Sequence, residues 1–337
     1  MNITGLIEPK RKPKNNGFAL LKMFMCFEVV INHSLSQFDG VLMTFLCDLS
    51  HTAVPVFMIL SFIFVSKKMD DITYIKKRIK SLLFLQVSWA IIYYVIMTIC
   101  HYIIQGELLS IKLLFSQALF GVGLNTFLWF QFDLIVITFI FALLFRLIKD
   151  NRNRLWFFLV IIVLCYYLQS SSINYNFFHS LGEPLKYPFG RVIEMMPYAC
   201  IGILFGLFDI LKTVSNDNEL FIIYTIFLIM LDIYCPSFTT YGFYYSGIEN
   251  LFKSILLVML FNKMNEYIKS NKIVDYITRF TPGIYFTHKM AYTILSKLYE
   301  LFSFSIYYDF IIVYLACYLF CYFVDKIPNK FIKKLVN

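Results

Sequence analysis

Long apolar blocks alternate along this chain with short polar stretches rich in lysine and arginine. The blocks fall near Phe18 to Ser36, Thr44 to Val65, Leu82 to Ile104, Phe127 to Ile148, Trp156 to Ser170, Met195 to Leu211, Leu220 to Cys235, Ile248 to Phe261, Phe280 to Leu301 and Ile306 to Val324. A hydrocarbon core of about 30 Å is crossed by about 20 helical residues, so blocks of this kind read as membrane spans. They lack the alternation of apolar and polar positions that marks a transmembrane barrel, and in lipid the backbone must satisfy its own hydrogen bonds. The pattern therefore predicts an all-α, polytopic integral membrane protein of about ten transmembrane helices.

Charge placement supports the count, because lysine and arginine gather in cytoplasmic loops. With the N-terminus inside, the inner segments hold Lys10 to Lys14, Lys67 to Lys80, Arg146 to Arg154, Lys212, Lys263 to Arg279 and Lys326 to Lys334. The outer loops keep Lys112, Lys186 and Arg191. Gaining or losing one span would invert the later loops, so an even number with both ends cytoplasmic is expected. We read residues 1–337 as one domain, with basic cytoplasmic segments at 1–17 and 325–337.

Composition adds to this picture without changing it. The chain is 59% hydrophobic and 15% charged, against about a quarter charged in soluble proteins. Its net charge of +9 does not imply nucleic acid, since the basic residues punctuate spans rather than covering one soluble face. The eight cysteines are scattered with no C-x-x-C pair, which predicts buried thiols rather than a disulfide framework or a zinc site. The basic start resembles a signal peptide, but Lys22 and Glu28 interrupt the apolar stretch and no small-residue cleavage pattern follows. Two longer outer stretches are expected: Gln105 to Thr126, with an amphipathic piece at Ile111 to Val122, and Ser171 to Glu194. The second collects His179, Glu183, Lys186, Arg191 and Glu194, as a cap on the bundle or as recognition residues.

Each ionisable group inside a bilayer costs roughly 2.5 to 3.5 kcal/mol near a helix centre and needs a reason. Lys22 and His33 lie eleven residues apart, about three helical turns, on nearly the same face and about 16 Å apart along the axis. Glu28 points to another face. A neutral imidazole exchanges protons near physiological pH, which activating a hydroxyl demands, so His33 is a candidate general base; the alternative is a packing histidine bonded to a backbone carbonyl. His288 is a second histidine within a span. His51, His101 and His179 fall at boundaries or in a loop, and no H-E-x-x-H or comparable spacing occurs, so no metal is expected. The run Lys76-Lys77-Arg78-Ile79-Lys80 leads into the third span, suited either to anionic headgroups or to the phosphates of a nucleotide-bearing cofactor.

These residues resemble those of the family-3 membrane acyltransferases, bacterial ten-helix proteins that mostly modify cell-envelope or exported carbohydrates. The resemblance rests on Lys22, ten intervening positions and His33; on Val54-Pro55-Val56-Phe57-Met58-Ile59-Leu60-Ser61; on the basic approach to the third span; on Leu128-Trp129-Phe130; on Pro197-Tyr198-Ala199-Cys200-Ile201-Gly202; and on Ile284-Tyr285-Phe286-Thr287-His288. The blocks occur in family order and cover most of the chain. The resemblance implies a plasma (inner) membrane enzyme passing an acyl group, such as acetyl, from cytoplasmic acetyl-CoA or a related acyl-CoA to a carbohydrate or glycolipid hydroxyl. It implies His33 as the catalytic base, Lys22, Lys77, Arg78 and Lys80 as contacts to the CoA phosphates, and Trp129, Asp133, Tyr285 and His288 as acceptor-binding residues. Three positions depart from the family. Lys22 replaces an arginine and loses its planar fork, Phe62 stands where glycine follows the serine, and Ser81 falls near the second arginine of the cytoplasmic loop. A divergent active enzyme and an inactive member both fit. A glycolipid carrier or flippase, and more weakly a membrane scaffold, are the competing classes; buried charges would line a transport route in the first and lack a purpose in the second.

Overall fold

The computed structural model describes residues 15–33, 41–123, 128–170, 186–214, 218–234, 245, 247–268, 272–302 and 309–336. Their regular secondary structure is entirely helical, as the apolar pattern predicts. The helices are α1 (Asn16–Asn32), α2 (Val41–Ser50), α3 (Ala53–Val65), α4 (Ile72–Gln105), α5 (Ile111–Phe120), α6 (Trp129–Leu147), α7 (Asn151–Ser170), α8 (Lys186–Leu207), α9 (Ile210–Val214), α10 (Asn218–Tyr234), α11 (Ile248–Met264), α12 (Lys272–Thr278), α13 (Thr281–Phe302), α14 (Asp309–Lys326) and α15 (Lys330–Val336).

Local chemistry sets several boundaries. The Asn15 side chain accepts from the Phe18 N–H at 2.9 Å and starts α1; Asp71 does the same for Thr73 and Tyr74 at the start of α4, each satisfying donors that a first turn leaves unpaired. Gly106 and Gly121 end α4 and α5 at φ of 74° and 70°, a backbone region that costs glycine nothing. Pro197 sits inside α8 and cannot donate to the Ile193 carbonyl four residues earlier. Gln169 of α7 fills that role, donating its Nε2 to Ile193 O at 3.1 Å.

Among the described residues, four stretches are long and apolar enough to cross a bilayer: Phe45–Lys68, Ile72–Ile103, Trp129–Leu147 and Pro188–Leu207. The first joins α2 and α3 through a turn at His51 and Thr52. The other expected spans are also occupied by helices over their described residues, but these are shorter or carry more charge. The 17-residue α1 holds Lys22 and Glu28, the 17-residue α11 holds Lys253, and α14 begins at Asp309 and ends at Asp325 and Lys326.

Among the described residues, α3 and α8 share the most extensive helix contact. In lipid, helix association depends on close van der Waals packing, which small residues permit. A Cβ on Gly202 would strike the Ile59 carbonyl, and one on Gly206 would strike Ser66 and the Ile63 carbonyl. Polar ties gather the basic helix ends together: Asn16 N to Asn265 at 2.7 Å, Lys67 to Asp209 at 2.6 Å, Arg154 to Asp70 at 2.9 Å and Arg279 to Asp325 at 2.7 Å. Phe18 meets Phe64, and Phe84 meets Phe331, across the same region. We call this the basic end. His33, Trp129 and Tyr245 lie toward the opposite end.

Candidate active site

Two histidines meet where α1 finishes. His33 is the C-cap of α1, His288 is fully buried on α13, and their rings stack with centroids 5.3 Å apart and planes 17° apart. His288 Nδ1 lies 2.7 Å from the Tyr285 carbonyl. A carbonyl only accepts, so Nδ1 carries the proton, and in the neutral ring Nε2 holds the lone pair. Two tyrosines position this turn. The Tyr292 hydroxyl donates to Val30 O of α1 at 2.8 Å. The Tyr93 hydroxyl from α4 donates to Phe286 O at 3.0 Å and accepts from Met290 N at 3.2 Å, engaging both ends of the helical step that spans His288.

A cavity of about 920 Å³ opens between α1, α3, α4, α6 and α13. Lys22 and Arg279 stand at its basic end, and Phe57, Phe130, Tyr285 and Phe286 line its depth. Lys22 Nζ sits 4.7 Å above the Phe64 ring. His33 does not line the space. Tyr285 does, and its ring lies 5.9 Å from that of His288. Ring contacts lead from Tyr285 to His288 and from His288 to His33.

The sequence places Lys77, Arg78 and Lys80 before a span; the structure places them on α4, which begins three turns earlier than expected. Helical spacing sets Arg78 one turn below Leu82, which lines the cavity, whereas Lys77 and Lys80 fall on other faces. Arg78 turns toward α3, with its guanidinium 6.0 Å from the Phe62 ring. Lys77 and Lys80 are exposed.

At the opposite end the structure gathers Trp129 and Asp133 of α6 with two residues expected in an outer loop. Arg191 and Glu194 lie on α8, buried, paired at 2.6 Å. This corrects the loop assignment of their stretch. The Arg191 guanidinium covers Trp129 at 5.0 Å and Tyr245 at 5.5 Å, and those two rings stack at 6.0 Å. Glu194 accepts the Tyr245 N–H, and the Tyr198 hydroxyl donates to Tyr245 O at 2.6 Å. Asp133 is fully buried within electrostatic reach of Arg191 and Glu194, and neither of its oxygens accepts a hydrogen bond from the described residues. Tyr285 lines the cavity, and its ring neighbours those of His288 and Phe130, the latter meeting Trp129, so ring contacts link the cavity to the histidines and to this cluster. The available sequence signal for Arg191 and Glu194 was their i, i+3 spacing with no Gly or Pro between them and Pro197. His179, Glu183 and the rest of residues 171–185 lie outside the described residues.

Another buried set was only half anticipated. Glu28 is fully buried on α1, as its different face suggested, and Lys253 of α11, also fully buried, pairs with Asp48 of α2 at 2.5 Å. Lys253 was passed over because it looks like one polar position in an apolar run.

A family model described as an acyltransferase domain matches residues 15–327. No curated protein matches the chain, and no solved structure does.

Proposed function

The chain belongs to acyltransferase family 3, and from this premise we propose that it moves an acyl group, acetyl foremost, from cytoplasmic acyl-CoA to a hydroxyl of a cell-envelope or exported carbohydrate. In this reading it crosses the plasma (inner) membrane ten times, with the basic end cytoplasmic. The observation that carries it is the cavity that runs from Lys22 to Tyr285, one ring short of the His288–His33 stack. Acyl transfer needs such a route, because the donor's phosphates prefer water and a basic rim whereas its thioester must reach a proton acceptor out of water. Lys22 and Arg78 serve the phosphates as charged partners, and the aromatic lining receives the pantetheine arm.

At the inner end the acceptor oxygen attacks the thioester carbon while its proton passes to an imidazole nitrogen. The C–S bond then breaks, and the imidazolium returns the proton to the departing thiolate, leaving ester, thiol and neutral histidine. His33 suits the direct role, since it is half-buried at a helix end that faces the acceptor side. His288, held through Nδ1, supports it. Like charges at this separation repel, so the stacked pair holds one proton at a time. Trp129, Asp133 and Tyr285 would meet the acceptor: aromatic faces stack on sugar C–H surfaces, and a buried carboxyl with no hydrogen-bond partner among the described residues takes a hydroxyl partner.

Membranes containing the protein, given radiolabelled acetyl-CoA and envelope carbohydrate, should label the carbohydrate. His33→Ala should insert normally and transfer nothing; full transfer by that variant would remove His33 from the mechanism. A wild-type protein that translocates glycolipid without transferring label would turn the assignment over to the carrier class.

A further inference from the structure

Two helices at the basic end carry lysines that the acyl-transfer route does not use. Phe331 of α15 packs edge-on against Phe84 of α4, with ring centroids 4.8 Å apart, and Lys334 Nζ lies 4.4 Å above the same Phe84 ring. Lys80 and Lys77 precede Phe84 by four and seven residues, so they share its face of α4. Lys330 precedes Lys334 by four and shares its face of α15. Lys334 thus lies on this aromatic contact, helical spacing puts Lys77, Lys80 and Lys330 on the helix faces that carry it, and all four residues are exposed.

No acidic residue occurs anywhere in α4 or α15. The nearest carboxylates before α4 are committed elsewhere: Asp71 caps the helix and Asp70 holds Arg154. Like charges within a screening length of about 8 Å repel, so lysines gathered on facing helices gain most from an anionic partner. Its surroundings identify the kind of anion. Leu83, Val87 and Phe331 beside the lysines are 45%, 42% and 55% exposed, and α4 continues as one of the stretches able to cross a bilayer. A free phosphate would neutralise the lysines and leave that apolar surface bare. A phospholipid satisfies both, with its headgroup on the lysines and its tails along α4.

We propose that α4 and α15 form a binding site for an anionic phospholipid of the cytoplasmic leaflet, clamped between Lys77, Lys80, Lys330 and Lys334 around Phe84. The site rests on the membrane orientation proposed above and not on the acyl-transfer chemistry. It also separates Lys77 and Lys80 in role from Arg78, which faces the bundle.

Native mass spectrometry of the purified full chain in detergent, with phosphatidylglycerol, phosphatidylcholine or coenzyme A added, tests this without any assay of transfer. The wild type should retain phosphatidylglycerol over phosphatidylcholine, and each lysine replaced by glutamine should weaken retention by about five-fold, with an unchanged elution profile. Equal retention of the two lipids by the wild type would overturn the proposal, even if the variants fail to fold. So would displacement of phosphatidylglycerol by equimolar coenzyme A, which would make the lysines a nucleotide contact, or undiminished retention by a Lys77→Gln, Lys80→Gln, Lys330→Gln, Lys334→Gln variant.

Discussion

The two ends of the proposed reaction path are built from opposite materials. Toward the basic end the space is open and walled by Phe57, Phe130, Phe286 and leucines, with charge only at the rim. Toward the other end Arg191 and Glu194 are paired among Trp129, Tyr245 and Tyr198, with Asp133 fully buried on the same helix as Trp129. An apolar-walled channel with a cationic mouth suits a long flexible donor that must slide in and withdraw. A pre-paired polar cluster suits an acceptor recognised by a few directed hydrogen bonds, since its groups are already oriented and little ordering remains to be done on binding. Tyr285 belongs to both, and the histidine stack lies against it.

The sharpest way to break this comparison is at the junction. His33→Ala is expected to lower label transfer by about 10²- to 10⁴-fold, the usual contribution of a positioned base, with membrane insertion unchanged; His288→Ala should fall in the same range. A loss confined to His288 would move the base onto α13. Next in size is the polar cluster itself. Glu194→Ala leaves Arg191 buried without its carboxylate, so detergent-solubilised protein should lose about 3 to 5 kcal/mol of stability in a thermal melt; Glu194→Gln, which keeps the acceptor oxygen for the Tyr245 N–H, should lose less. A variant as stable as wild type would mean that the cluster is loose rather than pre-paired.

Steady-state kinetics divide the two ends directly. Lys22→Met should raise KM for the acyl donor about ten-fold with kcat nearly unchanged, the mark of a lost charged contact made equally in ground and transition states. Asp133→Asn should raise KM for the carbohydrate by a similar factor and leave the donor alone. If the two effects are exchanged, the ends have been assigned backwards. The smallest expected effect is a control outside both regions. The Lys67 ammonium holds the exposed Asp209 carboxyl below the usual carboxylate range, chiefly through their hydrogen bond. That contribution is complete above the unfolded carboxylate pKa of about 3.9 and is lost as pH falls through the lower folded value. Asp209→Asn should cost less than about 1 kcal/mol, measured as a Tm difference at neutral pH that closes in acid.

Much of the helical layout was legible because lipid leaves the backbone few alternatives. Each expected span holds helix among its described residues, though turns at His51–Thr52 and Phe208–Asp209 break two of them, and other errors lie at ends where polar residues continue a helix beyond its apolar run. Extending α4 back to Ile72 and α8 back to Lys186 changed the meaning of the residues there: Arg78, Lys77 and Lys80 became faces of one helix, and Arg191 and Glu194 became a buried pair. Hydropathy reads solvent preference, and a charge whose partner is supplied by the fold looks the same in sequence as a charge in water. Lys253 was missed for that reason, since its partner Asp48 lies 205 residues away.

Sequence by itself determined that the chain is helical and that it belongs among membrane acyltransferases, because these follow from local periodicity and the order of motifs. Tertiary structure alone decided that His33 stacks on His288, that Tyr285 stands between the cavity and the histidines, and that the Arg191–Glu194 pair lies against Trp129. Those relations join α1 to α13 and α6 to α8, and contacts between distant helices are set by how their faces pack, which no local pattern specifies.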